Sequence, residues 1–119
     1  MLLAIAVLLG APSIPVVAQA ASVLTVENTS SHRIHLTIHL GVVDNAWLAP
    51  GEKLVRNYPN RVWGTVYASI KATSDPSSPD KCLASRAITI EDGHTTNLFY
   101  VFGSRRVLDT QHFEDYCKL

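Results

Sequence analysis

The residues of this chain that could most readily do chemistry are three closely spaced histidines, His32, His35 and His39. On a helix, spacings of three and four residues would place all three on one face and suit a metal ion. The residues between them alternate between apolar and polar, which is typical of a strand, where His35 and His39 share a face but lie about 13 Å apart. We therefore expect solvent-facing histidines; a metal site, with His35 and His39 as its candidate ligands, would need His94 or His112 alongside.

The serines and acidic residues form no recognisable catalytic arrangement. No serine lies in a nucleophile elbow, and the six glycines are scattered at turns rather than gathered in a phosphate-binding loop. The acidic pairs Glu91-Asp92 and Glu114-Asp115 join sequence neighbours, whose side chains normally point apart into water. We expect a protein that is not an enzyme and has no cofactor, with a small secreted hydrolase as the alternative.

Four aromatic residues are candidates for a binding surface, because they fall at strand ends or on predicted outward faces. Exposed aromatic side chains on a β scaffold can stack on sugar rings or anchor a protein partner. The alternative is that they close the ends of a small core. The four residues are Trp47, Tyr58, Trp63 and Tyr67.

The two cysteines, Cys82 and Cys117, predict one disulfide, since an even pair in an exported chain is usually oxidised. Closing a loop of about 35 residues would stabilise the fold by roughly 3–4 kcal/mol. The alternatives are two buried thiols or a metal site with two thiolates.

Export itself is predicted from residues 1–20. Residues 2–9 are an unbroken apolar run, residues 10–12 interrupt it, and Ala18 and Ala20 supply the small side chains that a signal peptidase recognises. A retained membrane anchor is the alternative, but two prolines interrupt the stretch and a spanning helix needs about 20 apolar residues. We expect a secreted or periplasmic domain over residues 21–119, with no integral membrane segment.

That domain is predicted to be all-β. Residues 33–40 alternate strictly, and a period of two over eight residues indicates a half-buried strand. A second alternating segment begins at Trp63 and turns Tyr67 away from the core. The expected architecture is a small antiparallel β-sandwich of six or seven short strands, with a short C-terminal helix over residues 109–118. The core-facing residues of the first segment are Ile34, Leu36, Ile38 and Leu40.

Turn residues separate these strands. Asp44-Asn45 predicts one turn, residues 49–52 predict another, and Asp92-Gly93 is a hairpin signal. Residues 73–81, rich in Ser, Asp and Pro, predict a loop. Asn28-Thr29-Ser30 fits either an N-glycosylation acceptor or an ordinary turn.

Charge excludes two classes of partner. The chain has ten Lys and Arg against ten Asp and Glu, and it contains no basic run. It therefore lacks the electrostatic footprint of a nucleic-acid-binding protein and the polybasic patch that binds anionic membranes.

Residues 25–30, 48–52 and 88–96 together resemble the strands and turns of exported Ig-like and transthyretin-like sandwich domains, including carboxypeptidase regulatory-like modules. The resemblance implies a binding, accessory or structural module without catalytic residues. The predicted function is therefore an exported, non-enzymatic module for a protein or cell-envelope partner. The alternatives are a carbohydrate-binding module that uses the four aromatic residues and a histidine-based metal-binding protein.

Overall fold

A computed structural model of the protein describes residues 21–102 and 114–117. Within these residues the chain forms eight strands and no helix, which confirms the all-β prediction. The predicted signal peptide and residues 109–113 and 118 of the predicted C-terminal helix lie outside the described residues. Residues 114–117 are a strand, so the helix prediction is wrong there. The strands are β1 (Ser22–Asn28), β2 (Ile34–Leu40), β3 (Val42–Leu48), β4 (Lys53–Tyr58), β5 (Val62–Lys71), β6 (Asp80–Ile90), β7 (Thr95–Tyr100) and β8 (Glu114–Cys117).

The strands form two sheets. The smaller sheet has the order β4-β1-β7, and the larger has the order β3-β2-β5-β6-β8. Strands β1 and β7 pair in parallel, whereas every other described pair is antiparallel. The predicted antiparallel arrangement is therefore wrong at this one pair, because two strands far apart in the sequence run in the same direction. No helix in the described part of the chain could span a membrane.

Both sheets contribute to one hydrophobic cluster, the arrangement expected of the predicted sandwich. The alternation in β2 is confirmed, since its four aliphatic residues are at most 2% exposed. Strand β1 supplies Leu24 and Val26 from the other sheet. Tyr100 of β7 is fully buried, and its hydroxyl donates a hydrogen bond to the sulfur of Cys82 in β6 over 3.6 Å. This contact joins the two sheets inside the core.

The turn predicted at Asp44-Asn45 is wrong, because both residues lie within β3. The chain reverses three residues earlier, at Gly41, whose φ of +86° is one that side chains with a Cβ rarely adopt. Strand β3 is an edge strand, where polar residues are readily accommodated. Asp44 uses this position to pair with Arg56 of β4, 2.6 Å away, which links the two sheets at their edges.

The hairpin predicted at Asp92-Gly93 is also wrong, although a turn does form there. The amide of His94 donates to the carbonyl of Glu91 over 3.0 Å, and Gly93 has a φ of +78°. The strands on either side do not pair, because β6 belongs to the larger sheet and β7 to the smaller. The turn therefore carries the chain from one sheet to the other.

The turn predicted over residues 49–52 is confirmed, and the buried side chain of Asn28 ties it to β1. Its amide nitrogen donates to the carbonyls of His32 at 2.7 Å and of Leu48 and Ala49 at 3.2 Å. Its carbonyl oxygen accepts from the amide and hydroxyl of Ser30. Because Asn28 is 0% exposed and its amide is engaged, this side chain is a structural element of the fold and is not presented for glycosylation.

The predicted Cys82–Cys117 disulfide is not supported as a bond in the structure. The two residues face each other in the register of β6 and β8, and the pair is 2.6 Å apart. Cys82 is buried in the core, whereas Cys117 is exposed on an edge strand. The sequence therefore identified two neighbours in space, and their covalent link remains a proposal.

Candidate functional site

The side of the larger sheet that faces away from the core carries most of the polar and aromatic residues of interest. The strand registers align Trp47, His35 and Ser69 in one row across β3, β2 and β5. The next row contains Asn45, Thr37 and Tyr67. We call this side of β3, β2, β5 and β6 the outer face; it also carries Val43, His39, Trp63, Thr65, Leu83, Ser85 and Thr89.

The loop of residues 72–79, which joins β5 to β6, makes a concavity on the outer face. Asp75, Pro76 and Ser77 form one side of it, and side chains of four strands form the rest. Its volume is about 680 Å³, which lies within the usual range for small-molecule sites. We call this concavity the loop pocket. Its strand residues are His35, Thr37, Asn45, Tyr67, Ser69, Lys71, Asp80 and Leu83.

Hydrogen bonds within the loop hold its shape. The carboxylate of Asp75 accepts from the amide and the hydroxyl of Ser77, both at 2.9 Å. These bonds lower the pKa of Asp75 by stabilising its ionised form. The hydroxyl of Ser78 donates to the carbonyl of Asp75 over 2.7 Å. The loop is therefore an ordered wall of the pocket, built from the Ser and Asp residues that predicted it.

Opposite charges in the loop pocket are paired with each other. The ammonium of Lys71 lies 2.7 Å from the carboxylate of Asp80 and 3.3 Å from the carbonyl of Ser78. Lys71 ends β5 and Asp80 begins β6, next to an irregularity in their register. The pair closes the base of the loop and leaves the pocket without a net charge from these two groups.

Two polar side chains of the pocket are almost fully buried, His35 at 7% and Ser69 at 4% exposure. No residue that the structure describes hydrogen-bonds to either side chain. Burial lowers the pKa of His35 below its ordinary value of 6.5, Lys71 lowers it further, and Asp80 partly opposes the shift. His35 is therefore a neutral imidazole near pH 7, able to donate from one ring nitrogen and accept at the other.

Trp47 and Tyr67, two of the four predicted aromatic residues, lie beside His35 and His39. Trp47 is half-buried: its ring meets the His35 ring edge-on at 4.8 Å, and the guanidinium of Arg33 lies 4.2 Å from its centroid. Tyr67 is 36% exposed, with the His39 ring edge-on at 5.6 Å. Trp47 is thus in contact with two neighbouring side chains, whereas Tyr67 stays accessible.

The other two predicted aromatic residues lie apart from the loop pocket. Trp63 is on the outer face and 63% exposed, with the guanidinium of Arg61 at 5.2 Å. Tyr58 belongs to β4 in the smaller sheet, where it is half-buried against the core. Burial, with the nearby carboxylate of Asp44, raises the pKa of Tyr58, and Arg56 partly opposes the shift. Three of the four aromatic residues therefore share one face.

The four histidines that the structure describes are not gathered into a metal site. His35 and His39 each contact an aromatic ring on the outer face, and the His32 ring packs against Phe102 at a tilt of 40°, with the ring centroids 4.6 Å apart. Within the described residues, no group of three or more His, Cys, Asp or Glu side chains could hold a metal ion. His112 lies outside the described residues.

Sequence reasoning identified Tyr67 and His35 separately but missed the pocket that joins them. Ser69 and Lys71 carried a usable signal, because the alternation of β5 places both on the outward side with Tyr67. Asp80 carried none, since its contact with Lys71 depends on how the loop of residues 72–79 closes.

Comparison with known protein families, curated proteins and solved structures found no match to this chain, so the resemblance to Ig-like and transthyretin-like domains stays a prediction and the site is interpreted from its own geometry.

Proposed function

We propose that the protein is an exported, non-enzymatic binding module whose outer face holds a protein or cell-envelope partner. The observation that carries this proposal is the exposure of apolar side chains on the strands of that face. Trp63 is 63% exposed and Val43 is 61% exposed, and Tyr67, which lines the loop pocket on the same face, is 36% exposed. Rigid strands present these side chains at little entropic cost, and aromatic residues are enriched at binding surfaces.

The chemistry of the described residues supports binding rather than catalysis. Of the side chains around the pocket, Lys71 and Asp80 are paired with each other, and the most buried ones, His35 and Ser69, lie in the same row of the sheet and make no hydrogen bond to each other. A nucleophile, a base and an orienting acid would have to converge for an acyl-transfer site. Export is supported by the apolar run and small residues of positions 1–20.

The proposal is tested by affinity capture with the protein as bait, from the envelope fraction and the secretion medium of the cells that produce it. The test variant is Val43→Ser with Trp63→Ser, which removes exposed apolar surface outside the loop pocket. The control is Val55→Ser, because Val55 is 48% exposed on the smaller sheet. We expect a partner that the control retains and the double variant loses. Capture that is equal for both variants, or no partner in either fraction, would overturn the proposal.

We also propose that Cys82 and Cys117 form a disulfide in the exported protein. They are direct cross-strand neighbours, and this geometry places Cβ atoms within about 4.5–5.5 Å, close to the separation a disulfide needs. The bond would fasten edge strand β8 to β6. Intact-mass measurement after alkylation, with and without reductant, tests it: two alkylated cysteines in the unreduced protein would contradict the proposal.

A further inference from the structure

We infer that the loop pocket binds an uncharged, polyhydroxylated ligand of the size of a sugar ring or two. The inference rests on the proposed binding function and names the ligand class of one part of the outer face. It differs from a flat aromatic platform, because the ligand would enter a pocket whose polar groups are already in place.

The first argument is the pair of buried polar side chains. His35 and Ser69 are more than nine-tenths buried, line the pocket, and have no hydrogen-bond partner among the described residues. Buried polar groups in proteins are nearly always hydrogen-bonded to protein or water. Their groups therefore face the pocket, where water or a ligand hydroxyl can satisfy them. A hydroxyl suits both, because it donates and accepts at the same atom.

The second argument is charge. Lys71 is paired with Asp80 at 2.7 Å, and the Oδ1 atom of Asp75 accepts two hydrogen bonds from Ser77. A phosphate or carboxylate ligand would need a cation that is not already paired, because desolvating a charge without a partner is costly. The low pKa of His35 makes it a neutral partner too. The pocket therefore favours a neutral ligand over an anionic one.

The third argument is the wall that Tyr67 provides. Its ring is accessible at 36% exposure and lies in the row next to Ser69, so an apolar surface stands beside the polar floor. Sugar rings have this same division, with C–H groups on their faces and hydroxyls around their edges. Thr37 donates to the carbonyl oxygen of Asn45 over 3.1 Å, which leaves the Asn45 amide as a further donor for the ligand.

The test is a titration of the ¹⁵N-labelled protein, purified after expression of the full chain, followed by NMR. The probes are four neutral disaccharides, namely maltose, cellobiose, lactose and N,N′-diacetylchitobiose, and two charged sugars, glucose 6-phosphate and galacturonic acid. We expect at least one neutral disaccharide to bind with an affinity of about millimolar or better and to shift amides around His35, Thr37, Tyr67 and Ser69. No shift with any neutral probe, or stronger binding of the charged sugars, would overturn the inference.

Two pairs of variants locate the site. Tyr67→Ala should weaken binding of the positive disaccharide by about tenfold or more, whereas Trp63→Ala, an exposed aromatic residue outside the pocket, should leave it unchanged. Ser69→Ala should weaken it several-fold, whereas Ser85→Ala, in the neighbouring row of the same face, should not. Equal losses within either pair would place the ligand elsewhere and refute the inference.

Two further comparisons separate the possible outcomes. An array of immobilised neutral glycans distinguishes a free sugar from the end of a glycan: binding only to soluble disaccharides indicates a free sugar, and binding to the array indicates a glycan terminus. If sugar binding fails while partner capture still depends on Val43 and Trp63, the pocket inference is wrong and the proposed function stands. If sugar binds and capture fails, the wider partner surface is wrong.

Discussion

Replacing Asn28 by alanine should remove more stability than the size of the side chain suggests, because Asn28 is fully buried and connects three segments of backbone. Its amide nitrogen donates to carbonyls before β2, at the end of β3 and in the turn that follows. Its carbonyl oxygen accepts two hydrogen bonds from Ser30. Alanine would leave all five of these hydrogen bonds unmade.

The expected loss follows from which of those groups water can reach. The carbonyl of Leu48 lies in a buried contact, so leaving it unsatisfied costs about 1–3 kcal/mol, and the remaining groups are partly accessible and cost less each. The sum is about 3 kcal/mol, a large part of the 5–15 kcal/mol by which domains are usually stable. For a domain of this size, that corresponds to a fall in melting temperature of about 12–24 °C.

Chemical denaturation and thermal melting of Asn28→Ala measure this loss directly. The matched control is Asn57→Ala, because Asn57 is an exposed residue on β4. We expect the control to differ from the parent by less than about 0.5 kcal/mol. If the two variants are equally stable, the hydrogen bonds of Asn28 do not contribute as argued and the reasoning is refuted.

Asn28→Asp adds a charge test at the same position. The introduced carboxylate would face the carbonyl oxygens to which the Asn28 amide now donates hydrogen bonds. Burial and repulsion from these oxygens should therefore raise the pKa of the carboxylate above the unfolded value of about 3.9. The folded variant then holds its proton more tightly than the unfolded chain. Its stability should therefore be highest below that unfolded value and fall as the pH rises through the folded pKa. A variant as stable at pH 7 as the parent would contradict this.

Three more predictions follow from single contacts. Gly64→Ala should destabilise the fold by several kcal/mol in a melting experiment, because a Cβ there would lie 1.8 Å from the carbonyl oxygen of His39. The low pKa of His35 means that the unfolded chain binds a proton more readily, so stability should fall as the pH drops below 6.5, and His35→Gln should remove that part of the pH dependence. Arg56→Ala should cost only about 0.5–1 kcal/mol, less at high salt, because its pair with Asp44 is partly exposed.

Each of these three has an outcome that contradicts it. A Gly64→Ala variant that melts with the parent would mean that β5 can move away from β2 at no cost. An unchanged pH profile for His35→Gln would assign the titration to other groups. A loss for Arg56→Ala that is insensitive to salt would mean that the side chain acts by packing rather than by charge.

The parts of the fold that could be predicted were those encoded by local periodicity. Strict alternation correctly predicted β2 and its buried face, and Pro50-Gly51 correctly predicted a turn, because both signals depend only on neighbouring residues. The Asp92-Gly93 turn also formed, but the choice of sheet for β7 was decided by pairing with β1, more than seventy residues earlier in the chain. The turn prediction at Asp44-Asn45 was wrong because an edge strand accommodates residues that favour turns elsewhere.

The loop pocket could be predicted only in pieces. The outward direction of Tyr67 followed from the pattern of β5, and composition predicted a loop over residues 73–81, of which residues 80 and 81 belong to β6 instead. The burial of His35 did not follow in this way, because a histidine in an alternating strand is expected to face water. Its ring meets that of Trp47 on a neighbouring strand, and this contact depends on a strand register that local sequence patterns do not determine.

The central position of β1 in the smaller sheet has a consequence for how the chain folds. In the strand register, Val23 pairs with Asn57 of β4 on one side and with Thr95 of β7 on the other. Because β7 comes late in the chain, the smaller sheet cannot be completed until nearly the whole domain has been synthesised. Strands β2, β3, β5 and β6, by contrast, lie closer together in the sequence and can pair earlier at a lower cost in loop closure. We therefore expect these four strands of the larger sheet to pair first, with the N-terminal strand among the last elements to gain all its neighbours.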